Sequence, residues 1–314
     1  VLKIIDRVRE VRPTKIYLLS DAGRTAEEKE QVAVARQVIE KSIDWDCTVI
    51  KRYAEENIGV LNNIGQGAKW VFSQEERAIF LEDDNLPELS FFRFCDEMLE
   101  KYENDNRVLW ICGTNYLTPN QQEGYPYSYF FSQHMLPCGW ASWSNKFLNY
   151  YDGMLESLAD ENALREYRNS YSDKRLFEQQ FASLKRTKKL INSNQRKASW
   201  DYQMVYSLRV NHMYGIVPVM NQIRNIGADA ISEHGGTSLK MEMTSRFCER
   251  ETYGISFPLS HPPYMFAPFE RELGEYILEP FRYRCAHKIG KILKPVMGLD
   301  EADSLKEFLS KNKG

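Results

Sequence analysis

The chain has 314 residues, room for one large domain or two small ones, and its 43% hydrophobic and 27% charged residues are enough to bury a real core. Lys and Arg (41) nearly balance Asp and Glu (44), so the formal charge of -3 gives no reason to expect a nucleic-acid partner. Six scattered cysteines without a C-x-x-C pair argue against zinc and a secreted disulfide framework; no apolar run approaches the roughly 20 residues of a bilayer span, and no signal peptide opens the chain, so cytoplasm is the expected location.

In chain order, VLKIIDRVREV repeats Leu2, Ile5, Val8 and Val11 at helical spacing until Pro13 ends the pattern. KIYLL (15–19) reads as a buried strand running into the turn SDAGR, and 26–43 as a helix with Val32, Ala35, Val38 and Ile39 on one face. CTVIKRY is a strand, NIGVLNNIGQGAKWVF helical, AIFL a strand, ELSFFRFCDEMLEKYEND a helix with Phe92, Cys95, Met98, Leu99 and Tyr102 inward, and RVLWICG a strand. Alternating strands and helices predict parallel βαβ units with right-handed crossovers, whose ligands collect beyond the carboxyl ends of the strands. Beyond residue 113 come the aromatic-rich YPYSYFFSQHMLPCGWASW, helices near 144–151 and 172–190, a helix–strand–loop block at 199–227, and an amphipathic helical tail over 264–314.

AIFL runs directly into Glu82, Asp83 and Asp84, which places three acids at the carboxyl edge of a strand covered on both faces. Adjacent carboxylates repel one another unless a cation or hydrogen-bond donors compensate. Mg²⁺ binds one or two protein carboxylates together with substrate phosphates, so the triplet suits a metal–diphosphate complex; a solvated acidic turn is the plainer reading.

The segment IFLEDDNLPELSFFRFCDEMLEKYENDNRVLWICGTNY resembles the acidic-motif region of GT-A-fold glycosyltransferases, in particular bacterial relatives of N-acetylglucosaminyltransferase I. The resemblance continues, in family order, through KIYLLSDAGR, WDCTVIKRYAEENIGVLNNIGQGAKWVF, LPCGWASWSNKFLNYYD, SWDYQMVYSLR and GIVPVMNQIRNIGADAISEHGG, covering about 12–153 and 198–238. It implies a Rossmann-like, mostly parallel α/β sheet with flanking helices, whose first strand is absent from this chain. It also implies that Asp84, last of an Asp-x-Asp-type triplet, ligates Mn²⁺ or Mg²⁺, that Glu82 and Asp83 contact the nucleotide-sugar, that Asp21 reads the uracil base, and that Arg52 is a further nucleotide contact.

Inverting transfer needs a carboxylate to take the acceptor hydroxyl's proton. Asp201 in SWDYQ matches the family's Trp-Asp segment; the same residue type also suits a helix N-cap or first turn. In CGWASW, Gly139 permits close backbone approach, while Trp140 and Trp143 offer either flat sugar platforms or core side chains. His234, in SEHGG, falls where the family's loop closes on the diphosphate or metal.

These readings divide the chain into a nucleotide-sugar half (1–114), an acceptor and catalytic half (115–245) with a basic helical insert (154–197), and a helical extension (246–314). Eight Lys/Arg against one Glu between 174 and 197 make a solvated face or a contact with anionic membrane at its inner surface, or with a lipid-diphosphate acceptor. The expected function is a metal-dependent glycosyltransferase of bacterial surface polysaccharide synthesis, moving a UDP-linked sugar to a glycan or glycolipid. A sugar nucleotidyltransferase, an aspartate-nucleophile phosphotransferase and a non-catalytic carbohydrate-binding module are the rivals. EDDNLP lacks the phosphotransferase pattern, and no Gly-rich phosphate loop is present near the start for a nucleotidyltransferase.

Overall fold

The computed structural model describes residues 1–117, 124–227 and 246–298. Its first elements follow the sequence pattern closely: α1 (Leu2–Val11), β1 (Lys15–Ser20), α2 (Ala26–Ser42), β2 (Thr48–Tyr53), α3 (Gln66–Phe72) after a π-helical turn at Leu61–Gly65, β3 (Arg77–Phe80), β4 (Asn85–Pro87), α4 (Leu89–Lys101) and β5 (Val108–Cys112). Then come β6 (Tyr129–Ser132), β7 (Trp140–Trp143), α5 (Ser144–Tyr150), α6 (Glu161–Asn169), α7 (Lys174–Asn192), α8 (Asp201–Val210), β8 (Tyr214–Pro218), β9 (Ile223–Asn225), α9 (Ala267–Ile277) and α10 (Phe281–Val296).

The fold is mixed α/β, but the strands form three sheets. β1 and β2 make a parallel pair, β3-β7-β5-β8-β6 a five-stranded sheet, and β4-β9 a small antiparallel ribbon. The expected mostly parallel sheet is corrected here: in the five-stranded sheet only β5 and β8 pair in parallel, and β7 and β6 run against their neighbours. Both antiparallel strands come from the aromatic-rich segment after residue 113, β7 pairing with β3 and β5 and β6 with β8. Among the described residues β1 pairs only with β2 and β3 only with β7, so each keeps one edge without a strand partner.

Packing explains the firmness of the larger sheet. Alternation along β5 sends Trp110 and Cys112 to one face and Ile111 to the other. On the first face Trp140 stacks between Phe80 (centroids 4.0 Å) and Trp110 (4.2 Å), covered by α3, α5, α8 and α9. On the second, α4 delivers Phe91, Phe94, Cys95, Met98 and Leu99. Phe92, expected inward, is only half-buried because the buried stripe runs through Phe91, Phe94 and Met98 instead. On α2 the expected face is not buried: Val32 and Ile39 are half-covered, and Ala35 and Val38 are exposed. No described helix is long and apolar enough to cross a membrane, and all six cysteines are free.

Candidate functional site

β3 ends at Phe80, and the chain turns through Glu82, Asp83 and Asp84 into β4. The β4–β9 ribbon pairs Asn85 with Asn225, which brings the Asn225 amide against the triplet. Asp84 is thereby held from both sides: Asn85 Nδ2 donates to Oδ1 at 2.5 Å and Asn225 Nδ2 to Oδ2 at 3.0 Å. Asn85 is fixed in turn, since its Oδ1 accepts the Gly139 N–H at 2.7 Å. Backbone passes directly over the carboxylate at Gly227, where a Cβ would lie 2.5 Å from Asp84 Oδ2; only glycine fits there without displacement.

Asp201 reaches the same place from the other half of the chain. It is the first residue of α8, with Trp200 as the cap, so it complements the helix dipole and does not cap the helix. The Ser199 hydroxyl donates to its carboxylate. The segment leading to it is seated on the loop after β2: Gly59, at φ +80, lies so close to Arg196 that an added Cβ would meet the Arg196 carbonyl oxygen at 2.1 Å. Asp21 holds that loop. Its carboxylate accepts from Ala22, Ile58 and Gly59 N–H at 2.8 Å each and from Asn57 Nδ2 at 3.1 Å.

The electrostatics join the two acidic segments. Glu82 is pushed up to about 8 by burial, then by Asp84, Asp201 and Asp83. Burial and Asp83 raise Asp84 as well, against the two amides that favour its anion. No described side chain donates a hydrogen bond to the Glu82 carboxylate, and the charges of Asp84, Asp201 and Asp83 that act on it are negative. The Cys138 and Cys248 thiols beside the acids are both raised, first by burial and then by Glu82 and by Asp84 respectively, so they bring no compensating charge. Acids gathered in this way from the triplet and the start of α8 could hold a cation. Among the described residues no three His, Cys, Asp or Glu form a group that could hold a metal ion.

The remaining expected residues divide. Asp83 is exposed at the same turn, while Glu82 and Asp84 are half-buried. Arg52 lies against α3, with Nη1 3.4 Å from the Asn62 carbonyl, and no described contact links it to the acids. Asp21 accepts from four donors, so its lone pairs are engaged in fastening the loop rather than left for a base. Trp140 and Trp143 are corrected outright: at 1% and 2% exposure they are core, and the Trp143 indole donates to the Leu99 carbonyl. Gly139 is structural too, its carbonyl accepting from Gly113 N–H at 2.7 Å. His234 lies outside the described residues.

Sequence reasoning missed Asn85, Asn225, Ser199 and the cysteine pair 138 and 248. Asn85 adjoins the triplet and Ser199 sits two residues before Asp201, so proximity to a candidate site was their one available signal; Asn225 had none without the β4–β9 pairing. No model of a known protein family matches the chain, and no curated protein matches it in sequence.

Proposed function

We propose that the chain is a metal-dependent, inverting glycosyltransferase that moves a sugar from a nucleotide-sugar, UDP-linked, to a hydroxyl of a glycan or glycolipid in bacterial surface polysaccharide synthesis. One observation carries this reading: Asp201 acts on Glu82 together with Asp84 and Asp83, so two carboxylate segments from distant parts of the chain come together at one site. The GT-A sheet of this reading would need a strand joining β1 and β3, which among the described residues lie in separate sheets.

Asp84, oriented by Asn85 and Asn225, would hold Mn²⁺ or Mg²⁺. Bound there, the ion would offset charge on the leaving diphosphate. Asp83, exposed, and Glu82 would accept hydrogen bonds from ribose and sugar hydroxyls. Asp201 takes the acceptor hydroxyl's proton as that oxygen attacks the anomeric carbon, and Ser199 keeps its carboxylate aimed. Asp21 acts at one remove, setting the 57–59 loop on which the Arg196–Asp201 segment rests.

The test is release of UDP from UDP-sugars with and without Mn²⁺, donor binding being followed separately by thermal shift. Metal-dependent UDP release is expected. Asp84→Asn should abolish it, and Asp201→Asn should keep donor binding while losing transfer by about 100-fold or more. UTP formation with pyrophosphate would instead identify a nucleotidyltransferase. Binding without either product would identify a non-catalytic module.

A further inference from the structure

Among the described residues β4 pairs only with β9, so the ribbon that begins at Asn85, directly after Asp84, stands apart from the five-stranded sheet. β9 is nevertheless gripped on both edges. On the β4 side the Gln222 carbonyl accepts from Glu88 N–H at 2.8 Å and the Asp84 carbonyl from Ile226 N–H at 2.8 Å. On the other edge the chain returns over 249–253 as a strap: Glu249 N–H donates to the Asn225 carbonyl at 2.8 Å, Tyr253 N–H to the Asn221 carbonyl at 3.0 Å, and Asn221 Nδ2 to the Glu251 carbonyl at 3.0 Å. Thr252 ties the strap to the end of β4 by donating to Glu88 Oε1 at 2.5 Å.

Glu249 is the tightest point of the strap. Its φ of 54 is a left-handed conformation uncommon outside glycine, and such a residue persists only where its surroundings over-determine it. Here they do, since its N–H is on Asn225 and its carboxylate is 2.6 Å from Arg224 Nη2. The turn therefore fixes the backbone of Asn225. The carboxamide of Asn225 is engaged at both ends, Nδ2 donating to Asp84 Oδ2 at 3.0 Å and Oδ1 accepting Gly227 N–H at 2.9 Å.

We propose that Asn225 is a positioning residue for the divalent ion at Asp84, and that the Glu249 strap sets the metal affinity of the site from outside the acidic cluster. The proposal rests on the metal-dependent reading above and adds to it the part of the fold that controls the ion. A carboxylate that ligates a metal is aimed by its own hydrogen bonds, and losing such a partner costs about 10–100-fold in affinity. Each Asp84 oxygen accepts one side-chain amide and keeps a lone pair beyond it. Of the two amides, Asn85 is tied by Gly139 N–H to the start of β7, whereas Asn225 is held from the strap. The adjustable half of the support is thus the one that Glu249 anchors.

Mn²⁺ binding to the full chain, alone and with UDP, tests this beside the unfolding midpoint in chelator. Asn225→Ala should weaken Mn²⁺ binding about 10-fold or more, and Asn225→Ser, which keeps a donor, should recover part of it. Glu249→Gly removes the ion pair while suiting the left-handed backbone; it should weaken Mn²⁺ about three-fold and leave the chelator midpoint unchanged. Wild-type binding that both Asn225 variants retain would overturn the proposal alone, and so would lowered midpoints with unaltered Mn²⁺ affinity, which would make Asn225 a structural residue of the ribbon only. Weakening in the Asn225 variants without any in Glu249→Gly would overturn the part given to the strap. A wild-type chain that takes up no Mn²⁺ under either condition would overturn the metal-dependent reading and this proposal with it.

Discussion

The parallel pair β1–β2 and the five-stranded sheet are both built from apolar strands, yet they are held by different forces. In β5 and β7 every residue is buried, and Trp140 lies in an aromatic stack. In β1, α2 and β2 none is. Polar contacts hold the smaller layer: Lys15 and the Tyr17 hydroxyl meet Glu75 at 2.6 and 2.7 Å, Lys51 and the Tyr53 hydroxyl meet Glu40 at 2.8 and 2.9 Å, and Arg36 bridges the carbonyls of Ser20, Asp21 and Ala54. Burial fixes side chains against many neighbours, whereas exposed pairs contribute little and are screened by salt. The acidic triplet thus grows from the rigid sheet and the Asp21 loop from the looser one. A site assembled from the two keeps the triplet's charges fixed while the Asp21 side can open locally at small cost.

The contrast breaks most severely if the aromatic stack is emptied. Trp140→Ala removes the ring between Phe80 and Trp110 and should cost about 3–5 kcal/mol, read as a lower denaturant midpoint for the whole chain. Acid should attack the same half next. His134 is buried; its Nδ1 accepts from Arg209 Nη2 at 3.2 Å and its Nε2–H donates to the Glu270 carbonyl at 3.1 Å, so the ring is neutral. Burial brings it down to about 4, the Glu270 carboxylate opposing and Arg209 assisting. Between that value and an ordinary 6.5 the unfolded chain binds a proton that the folded chain refuses, so this contribution is complete above pH 6.5 and fades as pH falls toward 4. Stability measured across that window should slope less in His134→Gln.

How far the sequence foretold these halves depends on how local each cause is. Leu2 to Val11, the strand KIYLL, and the α4 stripe through Cys95 and Met98 are set by neighbours a few residues away, and their periodicity was readable. So was the position of Glu82–Asp84 at a strand end, because an apolar run must stop where charge begins. The direction of β7 was not readable: it is decided by pairing with β3 on one side and β5 on the other, both far away in sequence. Trp140 was ambiguous for a different reason, since a flat apolar ring serves a core and a sugar equally well and only burial separates the two uses. Asp21 matched a family position, but its duty is defined by the N–H groups of Ile58 and Gly59, which no local pattern announces.

A milder perturbation separates the two layers directly. Glu75 is held below the usual carboxylate range by hydrogen bonds from Lys15 and then Tyr17. Glu75→Gln should cost only about 0.5–1 kcal/mol globally, yet it should speed amide exchange in 15–20 and 48–53 while leaving 108–112 and 140–143 unchanged. Equal acceleration in all four strands would mean that the layers unfold as one unit.

The smallest effect is the sharpest test of the comparison. Val34 is 61% exposed on α2, and with Val38, Ala35, Val1 and Leu2 it lines a shallow apolar cleft between α1 and α2. If the smaller layer truly lacks a core, Val34→Ser removes almost nothing from burial and should change stability by less than about 0.5 kcal/mol, the range for surface substitutions. The same change at a covered position would forfeit most of a valine's transfer free energy, about 1.5 kcal/mol or more. A midpoint shift of that larger size would show that α2 is covered in solution, and the difference between the two layers would then lie in what covers the smaller one and not in how it is built.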